Sequence, residues 1–334
     1  MSFNVPVVLF VFKRTDTLSK IIKVISKVKP NKIYILSDNG RTDEEKEKVL
    51  NCREIIERSI DWECDVIKHY HEANVGVYEN IALGAKFVFS KEPCAIFLED
   101  DNLPEISFFE FCQELLDKYK YDSRVLWICG SNYLEEIEPR DGSSYVFSQN
   151  MLPCGWASWS DKFNTYYDGE LELWESDYIR NRIKNNYIDK KLYYQDRYNI
   201  EYELEAKKKT GRFFSWDYQM SFSMRAHNVY AIIPKYNQIR NIGVDIESTH
   251  GGTCLKDEMV ARFCERKTKP MVFPLIHPKG MLTDLDVERK IGNIILDPKF
   301  YSFKSIASRM LRQIFNIDKT VSVSEYIKMK VYGK

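Results

Sequence analysis

The chain has 334 residues, of which 44% are hydrophobic, with 49 basic (Lys and Arg) and 49 acidic (Asp and Glu) side chains. This composition excludes collagen-like, low-complexity and largely disordered proteins. The net charge of zero argues against a general nucleic-acid-binding protein, because neutralising phosphates requires an excess of basic residues.

The first hundred residues alternate between predicted strands and predicted helices. Apolar, β-branched runs predict strands over 7–12, 32–36, 64–70 and 95–98, and helical spacing of apolar residues follows each of the first three. This alternation is typical of βαβ units, so we expect an α/β fold with a mostly parallel sheet and helices on both faces. Ligands of such sheets bind beyond the carboxyl ends of the strands, which points to the loops 13–15, 37–40 and 99–102.

The remainder of the chain is less regular. We expect a helix over 108–120, a strand over 125–129, loops and a hairpin over 133–155, helices within 170–210 and a strand over 231–234. No linker-like segment interrupts this region. We therefore predict a catalytic domain over 1–280, with a nucleotide-binding half over 1–104 and an acceptor half over 105–280, followed by a helical tail over 281–334.

Three consecutive acids, Glu99, Asp100 and Asp101, close the fourth predicted strand. Adjacent carboxylates repel one another, so this position calls for a cation or for many hydrogen-bond donors. Hard oxygen ligands suit Mn²⁺ or Mg²⁺, with a diphosphate completing the coordination shell. The alternative is a solvated acidic turn before a helix. The location directly after a buried strand favours the metal site.

The acidic turn is followed by an aromatic-rich stretch over 107–111, then by Gly155-Trp156, then by Trp216-Asp217. In this order the motifs resemble those of GT-A-fold glycosyltransferases, and are similar to the N-acetylglucosaminyltransferase I type and its bacterial polysaccharide-assembly relatives. The resemblance implies a metal-dependent, inverting transfer of sugar from a UDP-sugar donor. It also implies a glycan or lipid-linked oligosaccharide acceptor and a role in surface polysaccharide biosynthesis.

The resemblance also implies roles for the acidic turn and the base. Asp101 would bind Mn²⁺ (or Mg²⁺) that bridges the diphosphate, Asp100 would contact the ribose or the sugar, and Glu99 would lie beside the donor sugar. Asp217 matches the general base that deprotonates the acceptor hydroxyl. The residues alone favour an N-cap of the following helix for Asp217, a role that is compatible with catalysis.

Further donor-binding residues are expected at the ends of the first two strands. Arg14 matches the basic residue that steadies the nucleotide, and Asp38 matches the acid that accepts a hydrogen bond from uracil N3–H. Phe12, between the first strand and Arg14, is assigned to the same nucleotide-sugar site.

Two glycine-containing motifs are predicted to border the donor. Asn74 and Gly76 resemble a loop that lies near the diphosphate, although a plain helix-entry turn fits as well. Gly155 and Trp156 would contact the sugar, with Trp159 in the core; the alternative places both tryptophans in the core.

Three features carry weaker hypotheses. His250 could add a metal ligand or could be an exposed loop residue. The basic run over 206–212 could contact an acidic acceptor or could be a solvated surface. The tail over 300–334 has a net charge of +5 and an amphipathic pattern, so it could lie on an anionic membrane surface or pack on the catalytic domain.

Cellular location is predicted from what the sequence lacks. The longest apolar run, residues 6–12, is far below the ~20 residues of a membrane-spanning helix. The N-terminus has no signal-peptide pattern, and the eight cysteines contain no CxxC pair and lie mostly in apolar runs. We expect a cytoplasmic protein, with possible contact to the inner face of the plasma membrane through the tail.

Two other functions compete with sugar transfer. A sugar-phosphate nucleotidyltransferase would need a glycine-rich loop after the first strand to hold a triphosphate, and residues 12–16 contain no glycine. A catalytically inactive protein that binds a carbohydrate or a nucleotide sugar is the second alternative. The intact acidic turn and the Trp216-Asp217 pair favour an enzyme.

Overall fold

The computed structural model describes residues 3–244 and 254–298, together with residues 308, 311, 312, 315, 317, 323, 326 and 330. His250 and most of the basic tail lie outside these described residues. In the described part of the chain, no helix is both long and apolar enough to cross a bilayer.

A mixed eight-stranded sheet forms the framework, in the strand order β3-β2-β1-β4-β8-β6-β9-β7. A separate two-stranded sheet pairs β5 with β10. The strands are β1 Val7–Val11, β2 Lys32–Ser37, β3 Asp65–Tyr70, β4 Cys94–Glu99, β5 Asn102–Pro104, β6 Val125–Cys129, β7 Tyr145–Ser148, β8 Trp156–Trp159, β9 Tyr230–Pro234 and β10 Ile239–Asn241.

Helices connect the strands and cover the sheet. The α-helices are α1 Thr15–Val28, α2 Asp43–Ser59, α3 Gly84–Phe89, α4 Ser107–Lys118, α5 Ser160–Tyr166, α6 Asp177–Ile183, α7 Lys190–Thr210, α8 Asp217–Ala226, α9 Glu258–Phe263 and α10 Leu285–Ile295. Tyr78–Leu83 forms a π-helical segment before α3, and Glu172–Glu175 and Lys184–Asn186 form short 3₁₀ turns.

The first hundred residues have the predicted architecture. The strands β3, β2, β1 and β4 are all parallel, and all five residues of β1 are buried. Val8 and Phe10 belong to one apolar core, which includes α3, whereas Val7, Leu9 and Val11 belong to the other, which includes α1. Because successive side chains of a strand point to opposite faces, a fully apolar strand needs helices on both sides. The predicted α/β class is confirmed.

The second half departs from the sequence prediction. Six of the eight strands run in one direction, but β8 is inserted antiparallel between β4 and β6, and β7 pairs antiparallel with β9. The hairpin expected over 133–155 is therefore wrong, because the partner of β7 comes from 230–234. The strand β8 was not anticipated, since four residues rich in tryptophan carry little periodicity.

The small sheet brings a distant segment to the acidic turn. Residues 239–241 of β10 pair antiparallel with residues 102–104 of β5, directly after the three acids. The backbone N–H of Ile242 donates a 2.9 Å hydrogen bond to the carbonyl of Asp101. Two segments about 140 residues apart thus meet at the carboxyl end of β4.

Candidate active site at the carboxyl ends of β1 and β4

The ends of β1 and β4 lie side by side because the two strands are parallel neighbours, with Phe10 opposite Glu99. Just beyond the strands, the backbone N–H of Phe12 donates a 2.7 Å hydrogen bond to Oδ2 of Asp100. The Arg14 guanidinium forms an ion pair with Asp101. The structure therefore brings together the predicted residues of the first and third loops.

Asp101 is held by polar groups on both carboxylate oxygens. Arg14 contacts Oδ2, while Oδ1 accepts hydrogen bonds from the side-chain amides of Asn102 at 2.6 Å and Asn241 at 3.4 Å. A Cβ atom at Gly243 would overlap both the Asp101 carboxylate and the Arg14 guanidinium. The segment after β10 can cover this ion pair only because Gly243 has no side chain.

Glu99 lies beside Asp101 and Arg14, but its carboxylate is not bonded to the groups that hold Asp101. Its carboxylate forms no hydrogen bond or ion pair with any residue that the structure describes. Burial raises the pKa of Glu99 well above its usual value, and the carboxylates of Asp101, Asp100 and Asp217 raise it further, against the opposing effect of Arg14. Three neighbouring carboxylates and one guanidinium thus all act on the charge of Glu99.

Asp217 is the first residue of α8 and is partly exposed. The Ser215 hydroxyl donates a hydrogen bond to Oδ1 of Asp217. The N-cap position itself is Trp216, whose side chain makes no capping hydrogen bond, so the predicted capping role of Asp217 is replaced by a place in the first turn. Asp217 is among the carboxylates whose charge raises the pKa of Glu99.

The donor set for a metal ion is limited. Among residues 3–244 and 254–298, no three His, Cys, Asp or Glu side chains are grouped to hold a metal. Mg²⁺ and similar hard cations are commonly bound by one or two carboxylates together with substrate phosphates. Asp101 has a side chain of the type that this mode of binding uses, and in this structure its two oxygens accept hydrogen bonds from Arg14, Asn102 and Asn241. His250, the weaker candidate ligand, lies outside the described residues.

Asp38, at the end of β2, has very different surroundings from the acidic turn. It is 5% exposed, and its Oδ1 accepts hydrogen bonds from the backbone N–H groups of Asn39 and Val75, both at 2.8 Å. Its Oδ2 accepts from the Asn74 side chain at 2.9 Å and from the Gly76 N–H at 3.0 Å. Four donors fill the acceptor sites of one carboxylate, so the structure gives Asp38 a supporting task in place of the predicted contact with uracil.

The Asn74 and Gly76 loop is fixed at the same edge of the sheet by Asp38. Gly76 has a φ of +91°, which only glycine adopts without strain. A guanidinium nitrogen of Arg212 lies 3.8 Å from the position that a Gly76 Cβ would occupy. The basic run over 206–212 therefore ends beside the loop predicted to border the diphosphate.

Trp156 and Gly155 lie behind the site and not in it. Trp156 is 1% exposed, with its indole stacked between Phe97 at 3.9 Å and Trp127 at 4.1 Å, measured between ring centroids. The expectation that Trp156 stacks on the donor sugar is wrong, because both ring faces are covered. The Gly155 N–H donates to Oδ1 of Asn102 at 2.7 Å, so Gly155 supports the acidic turn through Asn102.

Three residues that the sequence analysis did not identify also shape the site. Arg53 on α2 donates to Ser37 Oγ at 2.9 Å and to the carbonyls of Asp38 and His71, both at 3.3 Å, and thereby ties the ends of β2 and β3 together. Asn102 follows the acidic turn directly and could have been suspected from that position. Asn241 could not, since its approach depends on the pairing of β10 with β5.

The Phe12 ring is partly buried and is bordered by cations. The Lys13 ammonium lies 5.5 Å and the Arg41 guanidinium 5.7 Å from the ring centroid. Both cations also form ion pairs with Glu45 of α2. Phe12 therefore lies at the same edge of the sheet as the acidic turn, in a positively charged surrounding.

Comparison with known proteins gives only distant similarity. No protein-family description and no curated protein sequence matches this chain. Among solved structures, a mannosyltransferase from Pyrobaculum calidifontis in complex with GDP-Man and Mn²⁺ matches at 11% identity and a TM-score of 0.32, over 47% of this chain and 45% of that one. The chain thus spans less than half of that mannosyltransferase.

Two structures of UDP-glucose pyrophosphorylase are also similar. The one complexed with UDP-glucose matches at 11% identity and a TM-score of 0.29, over 48% of this chain and 78% of that one. The apo structure matches at 10% identity and a TM-score of 0.34, over 71% and 93%. At such TM-scores the function has to be argued from the site itself.

Proposed function

We propose that the chain is a metal-dependent glycosyltransferase that moves a sugar from a UDP-sugar to a hydroxyl of a glycan or lipid-linked acceptor, with inversion. The observation that carries this proposal is the gathering of the three acids of the β4 turn at the carboxyl ends of β1 and β4, with Arg14 paired to Asp101 and Asp217 within electrostatic reach of Glu99. A cluster of carboxylates beside a guanidinium suits a divalent cation with a bound diphosphate.

On the donor side, Asp101 would hold Mn²⁺ or Mg²⁺ jointly with diphosphate oxygens. When bound, the cation would act as a Lewis acid that stabilises the leaving diphosphate. Arg14 already lies against Asp101, and its guanidinium would neutralise phosphate charge. The Phe12 N–H orients Asp100 toward the ribose or the sugar, and Glu99 lies beside the sugar.

The loop of Asn74 and Gly76 would border the diphosphate from the side of β2. Gly76 leaves room for close approach, and Arg212 lies next to it. The basic run over 206–212 would thus contact the diphosphate of the donor, in addition to the acidic acceptor predicted from the sequence. Asp38 holds this loop in place: three of its four hydrogen bonds come from Asn74, Val75 and Gly76, and the fourth comes from Asn39.

On the acceptor side, Asp217 would take the proton of the attacking hydroxyl. The hydrogen bond from Ser215 fixes Oδ1, and no described residue bonds to Oδ2, which is the atom that would receive the proton. Attack from the face opposite the leaving diphosphate inverts the configuration at the anomeric carbon. The proposal includes a cytoplasmic enzyme of surface polysaccharide assembly. The two alternatives for the tail, packing on the catalytic domain or contact with the membrane, concern residues that lie mostly outside the described ones.

The proposal is tested with a panel of UDP-sugars, with and without Mn²⁺, by thermal stabilisation and by release of UDP in the presence of glycan acceptors. Asp101→Ala should abolish Mn²⁺-dependent stabilisation by UDP. Asp217→Asn should keep donor binding and lower turnover by about a hundredfold or more, which is the typical contribution of a general base. Asp177→Asn is the matched control, because Asp177 is also the first residue of a helix.

Other outcomes would favour the competing functions. Unchanged Mn²⁺-dependent UDP binding by Asp101→Ala would remove the metal assignment. Pyrophosphate release from UTP and a sugar 1-phosphate would identify a nucleotidyltransferase. Binding of UDP without turnover of any UDP-sugar would identify a binding protein.

A further inference from the structure

A polar cavity lies at the C-terminal end of α8, the end opposite to Asp217. Its volume is about 260 Å³, and its polar lining includes Asn150, Tyr187, Asp189, Arg225, Glu288 and Arg289. These residues come from the loop after β7, the start of α7, the last turn of α8 and the helix α10. The volume is slightly below the range typical of sites for drug-sized molecules, so the cavity fits a small ligand.

The cavity contains a buried cation with an unused hydrogen-bond donor. Arg225 is 3% exposed. Its Nη2 donates to Oδ1 of Asn150 at 2.6 Å and its Nη1 to the carbonyl of Asn186 at 3.4 Å, while the guanidinium lies 4.0 Å from the centroid of the Tyr187 ring. Its Nε is buried without a hydrogen-bond partner among the described residues. The carboxylates of Glu288 and Asp196 act electrostatically on Arg225, but a buried donor that has no hydrogen-bond partner is still energetically costly.

The acids that line the cavity are already engaged by protein donors. Glu288 is 6% exposed and accepts hydrogen bonds from the Ser148 hydroxyl, from the Gln149 N–H at 3.2 Å and from the Asn150 side chain at 3.2 Å. Asp189 caps α7 by accepting from the Lys191 N–H at 2.8 Å. Neither acid forms an ion pair with Arg225.

The side chains of the lining that could still donate hydrogen bonds to a ligand therefore include cationic ones. Besides Arg225, the side chain of Arg289 lines the cavity, and its contact with Asp286 on its own helix is long, at 3.4 Å, and exposed. The first turn of α7, whose N-terminus carries partial positive charge, borders the same space. We propose that this cavity binds the carboxylate or phosphate group of a small ligand.

The cavity is separate from the proposed transfer site. Arg225 lies eight residues after Asp217 on α8, which corresponds to about 12 Å along the helix axis. The anionic group could be carried by an acidic sugar of the acceptor or could be a free phosphate. The shared chemistry is an oxyanion that accepts hydrogen bonds from guanidinium groups.

The test measures binding of inorganic phosphate, glucuronate and glucose to the full chain by titration calorimetry, without nucleotide or Mn²⁺. Glucose is the neutral counterpart of glucuronate. Gly292 also lines the cavity, and a Cβ there would meet Leu192 at an ordinary 3.6 Å. Gly292→Met should fill the cavity and abolish anion binding, whereas Gly292→Ala should retain it.

A second pair of variants tests the charge without changing the packing. Arg289→Gln should weaken anion binding on the order of tenfold, because a charge-assisted hydrogen bond is lost. Lys290→Gln, on the same helix but outside the cavity lining, should leave the affinity unchanged. Circular dichroism and the urea midpoint verify that each variant is folded.

The relative affinities identify the source of the anion. Tighter binding of glucuronate than of phosphate indicates an acidic sugar, and the reverse order indicates a free anion; both support the site. Equal binding of glucose and glucuronate, no binding of either anion, or anion affinities that Gly292→Met and Arg289→Gln leave unchanged would overturn the proposal.

Discussion

Asp38 and Asp101 are both acids at the carboxyl ends of parallel strands in one sheet, yet their surroundings differ. Asp38 accepts four hydrogen bonds from protein groups that belong to its own turn and to the next loop. Asp101 is held by one guanidinium and by amides, and two further carboxylates precede it in the chain. The acid of β2 is thus saturated by the fold, whereas the acids of β4 lie close enough to repel one another.

The difference separates a supporting carboxylate from carboxylates available to a ligand. A saturated acid contributes mainly to folding, because removing it leaves several buried donors without partners. An acid that lies among other acids contributes less to folding stability, because the stabilisation from its ion pair is offset by repulsion from the neighbouring carboxylates. The stability of isosteric variants, measured without metal or nucleotide, therefore tests the comparison.

The largest effect is expected for Asp38→Asn. The new amide presents a donor toward groups that are themselves donors, so we expect the free energy of unfolding to fall by about 3 kcal/mol. Urea unfolding at pH 7 measures this loss. A loss below about 1 kcal/mol would show that the four hydrogen bonds are not what holds the loop.

An intermediate effect is expected for Gly243→Ala. The added methyl group overlaps the Arg14–Asp101 pair, and relieving such overlap typically costs 1–3 kcal/mol, so we expect about 2 kcal/mol. Gly280→Ala is the control, since a Cβ there meets no atom within 4 Å. Equal stability of the two variants would mean that the segment after β10 does not pack on the ion pair.

Asp101→Asn should cost about 1 kcal/mol, clearly less than Asp38→Asn. It removes the ionic partner of Arg14, which is destabilising, but it also relieves repulsion from Glu99 and Asp100. Parallel urea titrations of the two asparagine variants give the comparison directly. If Asp101→Asn were the more destabilising of the two, the contrast between the strand ends would be reversed.

Glu99→Gln should change stability in the opposite direction. The pKa of Glu99 is raised in the folded protein, mainly by burial and then by the nearby acids. The folded state therefore holds this proton more tightly than the unfolded chain, and wild-type stability falls as the pH rises from about 4.5 toward the folded pKa. Glu99→Gln should lack this loss and unfold at higher urea at pH 7 than the wild type, with the difference vanishing below pH 4. A stability difference independent of pH would contradict this prediction.

Local patterns were sufficient for the first hundred residues. The strands β1, β2 and β4 are buried in the parallel sheet and are continuous apolar runs, the edge strand β3 has fewer apolar residues but is still recognisable, and the loops that follow the strands were expected to converge. The structure places Phe12, Arg14, Asp100 and Asp101 together, and Asn74 and Gly76 beside Asp38.

Local patterns were insufficient where long-range pairing decides the environment. Trp156 was expected at the donor site, but its place depends on β8 entering the sheet between β4 and β6, which covers both ring faces. The roles of Asn241 and Gly243 likewise depend on β10 pairing with β5. The cavity around Arg225 combines four chain segments, none of which has a recognisable motif.

The sequence by itself determined the order of strands and helices in the first hundred residues and the acidic turn after β4, because periodicity and residue type act over a few neighbouring residues. Only the tertiary structure decided that the Asp38 carboxylate is filled by protein donors, while Asp101 pairs with Arg14 beside other carboxylates. The physical reason is that hydrogen-bond saturation and charge balance depend on groups brought together across 36 to 140 residues, and a local sequence pattern contains no information about such contacts.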